Sequence, residues 1–126
     1  MWHATFTAWG NQPGPPDGTP IDNALVTWHS DGTELMNSAR PPQDGNFCMG
    51  VWKQTGDSTY HLNHWALSYD TSGTLNGKVN IKEDVTLDAR ALRYSGTFTL
   101  DVYDPSSNAV VAHSHGQVVG LRVTAN

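Results

Sequence analysis

Turn-forming residues interrupt this chain at short intervals, and the segments between them alternate polar and apolar side chains. The clearest such segment runs from Thr74 to Asp88. The positions on one of its faces are Val79, Ile81, Glu83, Val85 and Leu87. A period of two places successive side chains on opposite faces of a β-strand. Because no segment shows the longer period of an amphipathic helix, we expect an all-β chain.

The same pattern predicts eight strands joined by short links. They are Trp2–Trp9, Ala24–His29, Thr33–Ser38, Gly45–Thr55, Ser58–Tyr69, Thr74–Asp88, Arg93–Asp104 and Ala109–Thr124. Proline and glycine make the segment from Gly10 to Pro20 a loop, which we expect over a barrel mouth. Short links favour an eight-stranded antiparallel up-and-down barrel, which has no free strand edges, although a sandwich is the alternative. A barrel of this size is filled by side chains or holds one small ligand.

Composition limits the class of protein. A length of 126 residues predicts one domain, 1–126. The net charge of −5 argues against nucleic acid or an anionic membrane as partner, and no apolar run is long enough to span a bilayer. One cysteine excludes an internal disulfide and leaves the compartment open. The scarcity of Lys and Glu favours an exported protein, whose signal would precede Met1.

The hairpin from Gly45 to Asp70 holds the only cysteine, Cys48. On its return strand one face carries Tyr60, Leu62, His64, Ala66 and Ser68, and the other carries His61, Asn63, Trp65, Leu67 and Tyr69. Both faces are mixed, so neither is expected to be a plain solvent face. Polar groups among large apolar ones predict the lining of a pocket.

Glu83 stands in an otherwise apolar series, so its carboxyl group must find a partner or stay protonated. His64 lies on the preceding strand of the chain and is the expected partner. A buried Glu–His pair beside a cavity is suited to acid/base chemistry near neutral pH, with Tyr60 polarising a substrate oxygen. The alternative is a purely structural Glu83, hydrogen-bonded to a tyrosine or the backbone.

Several segments of the chain resemble small bacterial lipocalin-like proteins of the calycin and allene-oxide-cyclase-like type. These segments are WHSDGT, GVWKQTG, VTLD, SGTFTLDVYD and GQVVGLR. The resemblance implies a closed barrel in which Trp2 stacks on Arg122. It also implies either a cofactor-free cyclase or a carrier of apolar molecules, and a tendency to form homo-oligomers.

Two functions therefore stay open at this point. One is a cofactor-free isomerase, cyclase or lyase, with His64, Glu83 and Tyr60 as catalytic groups. The other is a non-catalytic carrier of a small apolar or aromatic molecule. In both cases the expected cavity wall is formed by Phe6, Trp28, Cys48, Trp52 and Leu62, with Trp65 as a further candidate.

Cofactors and metals are not expected. A buried free cysteine such as Cys48 usually acts as a small apolar residue, with a reactive role as the alternative. His113 and His115 share one strand face, which we expect to face solvent, and no spacing completes a metal-ligand set. His61 and His64 fall on opposite faces, so they could share a metal only across a bulge. Haem held by one histidine is a further alternative.

Overall fold

The computed structural model describes residues 1–126, and the chain forms one closed antiparallel barrel. The strands are β1 (Trp2–Ala8), β2 (Pro20–Trp28), β3 (Thr33–Ser38), β4 (Phe47–Gln54), β5 (Thr59–Tyr69), β6 (Leu75–Leu87), β7 (Arg93–Tyr103) and β8 (Val110–Arg122). Each strand pairs with the next, and β8 returns to pair with β1. The predicted barrel is confirmed, and the open sandwich is excluded.

Helical structure is confined to one 3₁₀ turn, Pro42–Asp44. The structure contains no helix that could cross a lipid bilayer. The predicted strands match closely, but β2 begins earlier than predicted, at Pro20 instead of Ala24. Proline is tolerated as the first residue of a strand. Pro20, the last residue of the predicted loop, can therefore begin β2.

The interior is formed by alternate residues of all eight strands. Its fully buried apolar members include Ala4, Phe6, Val26, Met36, Leu62 and Val118. The outward residues between them are mostly polar, as expected for a barrel with a wet outer face.

The first and last strands pair along the length of β1 and close the barrel wall, and their Trp2–Arg122 pair marks the end that is here called the upper end. Trp2 pairs in register with Arg122. The Arg122 guanidinium carbon lies 4.1 Å from the centroid of the Trp2 ring, and its Nε donates to the carbonyl of Ala91. A cation over an aromatic face is attracted by the ring quadrupole. The predicted Trp2–Arg122 stack is therefore confirmed.

The loop between β1 and β2 lies at the opposite, lower end. Its Asn11 is buried, donates from Nδ2 to the carbonyl of His115 at 2.8 Å, and accepts at Oδ1 from the amide of His115 at 3.0 Å. An amide side chain that bonds both backbone groups of one residue imitates a neighbouring strand. This contact fastens the loop to β8.

One face of β5 differs from the prediction. Trp65 and Leu67 are 44% and 47% exposed, so the face that they share lies outside the barrel. Trp65 stacks on Tyr103 of β7 at 5.5 Å, and the exposed Met49 pairs with it from β4. The prediction that β5 lacks a solvent face was wrong, and it failed because the residues on the solvent face are themselves apolar. Since Trp65 points outward, it does not form part of an interior wall.

Candidate functional site

Three ionisable side chains meet inside the barrel. Nδ1 of His64 on β5 lies 2.9 Å from Oε2 of Glu34 on β3 and 3.9 Å from Oε1 of Glu83 on β6. All three residues are at most 1% exposed. An ionised carboxylate can only accept a hydrogen bond, so the proton between Glu34 and His64 belongs on Nδ1. That tautomer leaves Nε2 of His64 as the basic nitrogen when the ring is neutral.

Gly50 makes the contact between Glu34 and His64 possible. It lies on β4, between the two strands, in register with Glu34 on one side and with His64 on the other. A Cβ atom at position 50 would lie 2.5 Å from Oε2 of Glu34 and 2.4 Å from Cβ of His64. Any side chain there would therefore separate the pair. The missing side chain lets Glu34 reach His64 over the intervening strand.

The barrel register places Glu83 beside this pair. His64 is opposite Ile81 and Glu83 is opposite Leu62, so the two ionisable residues are diagonal neighbours on β5 and β6. Diagonal neighbours on one face are within reach of long side chains. Asn80 on β6 also donates to the carbonyl of His64 at 3.0 Å, which fixes the backbone of β5 at this point.

Burial and mutual charge set the protonation of this cluster. Burial raises the pKa of Glu83 to about 7; His64 opposes this shift and Glu34 reinforces it. For His64, burial lowers the pKa, but the hydrogen bond and charge of Glu34 and the charge of Glu83 outweigh it and raise the pKa above its usual value. The Glu34–His64 hydrogen bond therefore lies beside a Glu83 carboxyl whose pKa is close to neutral pH.

Several polar atoms of the interior have no hydrogen-bond partner in the protein. They are Nε1 of Trp28, Oε1 of Glu34, Nε2 of His64, both carboxyl oxygens of Glu83 and the hydroxyl of Tyr94. Burial, followed by the charges of Glu83 and Glu34, raises the pKa of the Tyr94 hydroxyl, which therefore stays protonated. A buried polar atom without a partner typically costs about 1–3 kcal/mol. Because these unpartnered atoms all lie in the barrel interior, we take this region as the candidate site.

A set of aromatic rings lies between this cluster and the upper end. The ring of Trp28 is centred 5.2 Å from Tyr94, 5.5 Å from Tyr60, 5.6 Å from Trp2 and 6.1 Å from Trp52. Nε1 of Trp52 donates to the carbonyl of His29 at 2.9 Å, which anchors that ring. Nε1 of Trp28 is one of the unpartnered atoms, so no hydrogen bond holds this ring in place.

An open cavity of about 510 Å³ lies above these rings. Its wall includes Trp2, Trp28, Trp52, Tyr60, Leu87 and Arg122. This volume lies within the range of small-molecule sites, which are lined mainly by apolar and aromatic groups. The aromatic set therefore separates the cavity from the Glu34–His64–Glu83 cluster, and Trp28 contacts all four other members of this set.

The structure divides the residues that the sequence predicted for the site into two groups. Trp28, Trp52 and Tyr60 line the cavity. The others lie deeper in the barrel: Phe6, Cys48, Leu62, His64 and Glu83 are buried. Phe6 packs edge-on against Phe98 at 5.3 Å, within the core. Burial raises the pKa of Cys48 to about 12, with the charges of Glu34 and Asp22 adding to the effect, so its thiol is neutral.

Glu34 was not among the site residues predicted from the sequence. Two signals could have found it: Glu34 shares the parity of the buried Met36 on β3, and Gly50 faces it from β4. A charged residue on an inward face, opposite a glycine that is opposite a histidine, indicates a contact across three strands.

The remaining histidines lie outside the cluster. His113 is exposed, with Nδ1 2.5 Å from Oδ1 of Asp101, whereas His115 is only partly exposed and its ring lies near Gly10. His61 bonds to Asp84 on the outer surface at 2.8 Å, so it faces away from His64 as predicted. The structure contains no group of three or more His, Cys, Asp or Glu side chains placed to hold a metal ion.

The fold and this site define a closed eight-stranded antiparallel barrel with a buried ionisable cluster beneath an aromatic-walled cavity. The architecture is compatible with a lipocalin-like or calycin-like fold. No family profile, curated protein or solved structure matches the chain.

Proposed function

We propose that this chain is a lipocalin-type barrel that binds a small apolar or aromatic molecule in the cavity at its upper end. The observation that carries the proposal is the cavity of about 510 Å³ walled by Trp2, Trp28, Trp52 and Tyr60. Flat aromatic walls favour a flat ligand because rings stack in offset or edge-to-face geometries. Binding is favoured over catalysis because the ionisable cluster is buried and separated from the cavity.

A neutral fluorescent dye such as Nile red tests this proposal. We expect saturable binding to the purified protein and at least about tenfold weaker binding to Trp52→Ala, since an aromatic wall residue contributes more than about 1.4 kcal/mol. Trp9→Ala is the matched control because Trp9 is exposed and is not part of the cavity wall. Equal binding to both variants, or no saturable binding at all, contradicts the proposal.

Acid/base catalysis is the second candidate, and the orientation of His64 favours it. The bond from Nδ1 to Glu34 leaves Nε2 as the nitrogen of His64 that would exchange a proton with a substrate, and Glu83 has a pKa near neutrality. A histidine beside a carboxyl group whose pKa is near neutrality suits a cofactor-free isomerase, cyclase or lyase. Tyr60, in the cavity wall, would polarise a substrate oxygen.

Proton transfer can be tested without knowing the substrate. Small cyclic ketones are incubated with the protein in D₂O, and exchange at the carbon next to the carbonyl is followed by NMR. We expect exchange above the buffer rate with the wild type and only the buffer rate with His64→Asn. Equal exchange by both proteins would exclude His64 as the base.

A further inference from the structure

The interior cluster contains more acidic than basic groups. Glu34 is neutralised by its bond to His64, but both carboxyl oxygens of Glu83 and Oε1 of Glu34 have no hydrogen-bond partner in the protein. Glu83 is 1% exposed, so solvent does not compensate its charge. Three acceptor oxygens in a buried site favour a ligand that brings hydrogen-bond donors and positive charge.

The aromatic rings between the cavity and Glu83 are also suited to a cation. The rings of Trp28, Trp52 and Tyr60 have centroids that lie 5.5–6.1 Å apart. Aromatic faces attract ammonium and guanidinium groups, and Arg122 already uses the face of Trp2 in this way. The net charge of −5 also favours the approach of cations.

Trp28 is the ring that must move to open a path from the cavity to Glu83. Its Nε1 has no partner, whereas Nε1 of Trp52 is held by the carbonyl of His29. Rotation of Trp28 therefore breaks no hydrogen bond of its indole. Trp28 contacts Tyr94, whose hydroxyl is also unpartnered, so its movement would join the cavity to the cluster.

We propose that the ligand of this barrel is a small organic cation, a flat aromatic molecule with an ammonium group on a short chain. The ring packs against Trp52 and Tyr60 in the place that Trp28 now occupies, and the ammonium group donates to the carboxylate of Glu83 and to Oε1 of Glu34. This inference rests on the proposed binding function and adds the chemical class of the ligand.

Three probes of one shape test the inference by calorimetry at pH 8, where Glu83 is mostly ionised: 2-phenylethylammonium, the neutral 2-phenylethanol and the anionic 3-phenylpropionate. We expect the ammonium compound to bind at least about tenfold tighter than the alcohol, and the anion to bind weakest, because charge-assisted hydrogen bonds and cation–π contacts together exceed about 1.4 kcal/mol. The preference should shrink at pH 5, where Glu83 takes up a proton. This pH comparison needs only the wild-type protein.

Glu83→Gln and Asp84→Asn form a matched pair, since each removes one negative charge and Asp84 lies on the outer surface. We expect Glu83→Gln to abolish the preference for the cation and Asp84→Asn to keep it. Equal or tighter binding of the alcohol overturns the inference but leaves the proposed function intact. If no probe binds while the neutral dye does, the inference fails alone; if the dye also fails, the proposed function fails with it.

Discussion

Glu34 and His64 are hydrogen-bonded across a strand that separates them in the sheet. The 2.9 Å contact between Oε2 of Glu34 and Nδ1 of His64 passes over Gly50, which is in register with both residues. Neighbouring strands lie about 4.8 Å apart, so residues two strands apart rarely touch when a side chain stands between them. The Glu34–His64 contact therefore depends on one residue that has no side chain.

Gly50→Ala should remove this contact. The new methyl group would overlap both partners, and overpacking together with loss of a buried charged hydrogen bond should lower the free energy of unfolding by about 3 kcal/mol or more. Urea denaturation measures the change. Gly77→Ala is the control, since a Cβ there meets nothing closer than 3.4 Å and should cost less than about 1 kcal/mol. Similar losses for both variants would contradict the role given to Gly50.

Stability should fall as pH rises from 5 to 8. The pKa of Glu83 is raised from 4.5 to about 7, so the folded chain holds a proton that the unfolded chain has released in this interval. That proton stabilises the fold by up to about 3 kcal/mol at acid pH, and the gain is lost as pH rises through 7. The raised pKa of His64 acts in the same direction.

Urea denaturation at pH 5 and pH 8 measures this dependence, and Glu83→Gln should flatten it while Asp84→Asn leaves it unchanged. Carboxyls with lowered pKa values lose their contribution only below about pH 4, outside this interval. They are Asp31, Asp70, Asp88 and Asp104. A wild-type stability that is constant or rises from pH 5 to pH 8 would show that the cluster is not protonated as described.

Arg122→Ala should destabilise the upper end. The substitution removes the guanidinium from the face of Trp2 and the hydrogen bond to the carbonyl of Ala91. We expect a loss of about 1–2 kcal/mol in thermal or urea denaturation, through packing as well as charge. The control is Arg90→Ala, which lies in the β6–β7 turn next to Ala91 and should change the free energy of unfolding by less than about 0.5 kcal/mol. Equal losses of stability in Arg122→Ala and Arg90→Ala would show that the Trp2–Arg122 stack does not stabilise the fold.

Asn11→Ala should release the lower loop. Both backbone groups of His115 lose their side-chain partner, which should cost about 1–3 kcal/mol and speed the exchange of the His115 amide hydrogen. Hydrogen-exchange NMR measures this directly. Asn23→Ala removes an exposed asparagine of β2 and should leave that amide unchanged. An unaltered exchange rate of the His115 amide in Asn11→Ala would show that Asn11 does not fasten the loop to β8.

Alternation in the sequence was sufficient to predict the barrel and most of its strand boundaries. It also placed Glu83 and His64 inside, since each shares its face with apolar residues over a long strand. The distance between them depended on register, which no single strand reveals; it follows from the pairing of Leu62 with Glu83.

Alternation was a weaker signal for Glu34 and for the outer face of β5. β3 has six residues, so one charged residue at its start looks like the edge of a turn. On β5 the outward Trp65 and Leu67 are as apolar as the inward residues, so polar and apolar side chains do not alternate along this strand. The catalytic roles of His64, Glu83 and Tyr60, and the formation of homo-oligomers, stay predictions.

Closure of the barrel by β1 and β8 has a consequence for how the chain folds. Trp2 can form its contact with Arg122 only after the far end of the chain has been synthesised. Contacts between such distant residues are formed late and slow the folding of β-proteins to milliseconds or longer. During synthesis on the ribosome, β1 must therefore wait for β8, with one of its edges unpaired until the last strand has emerged.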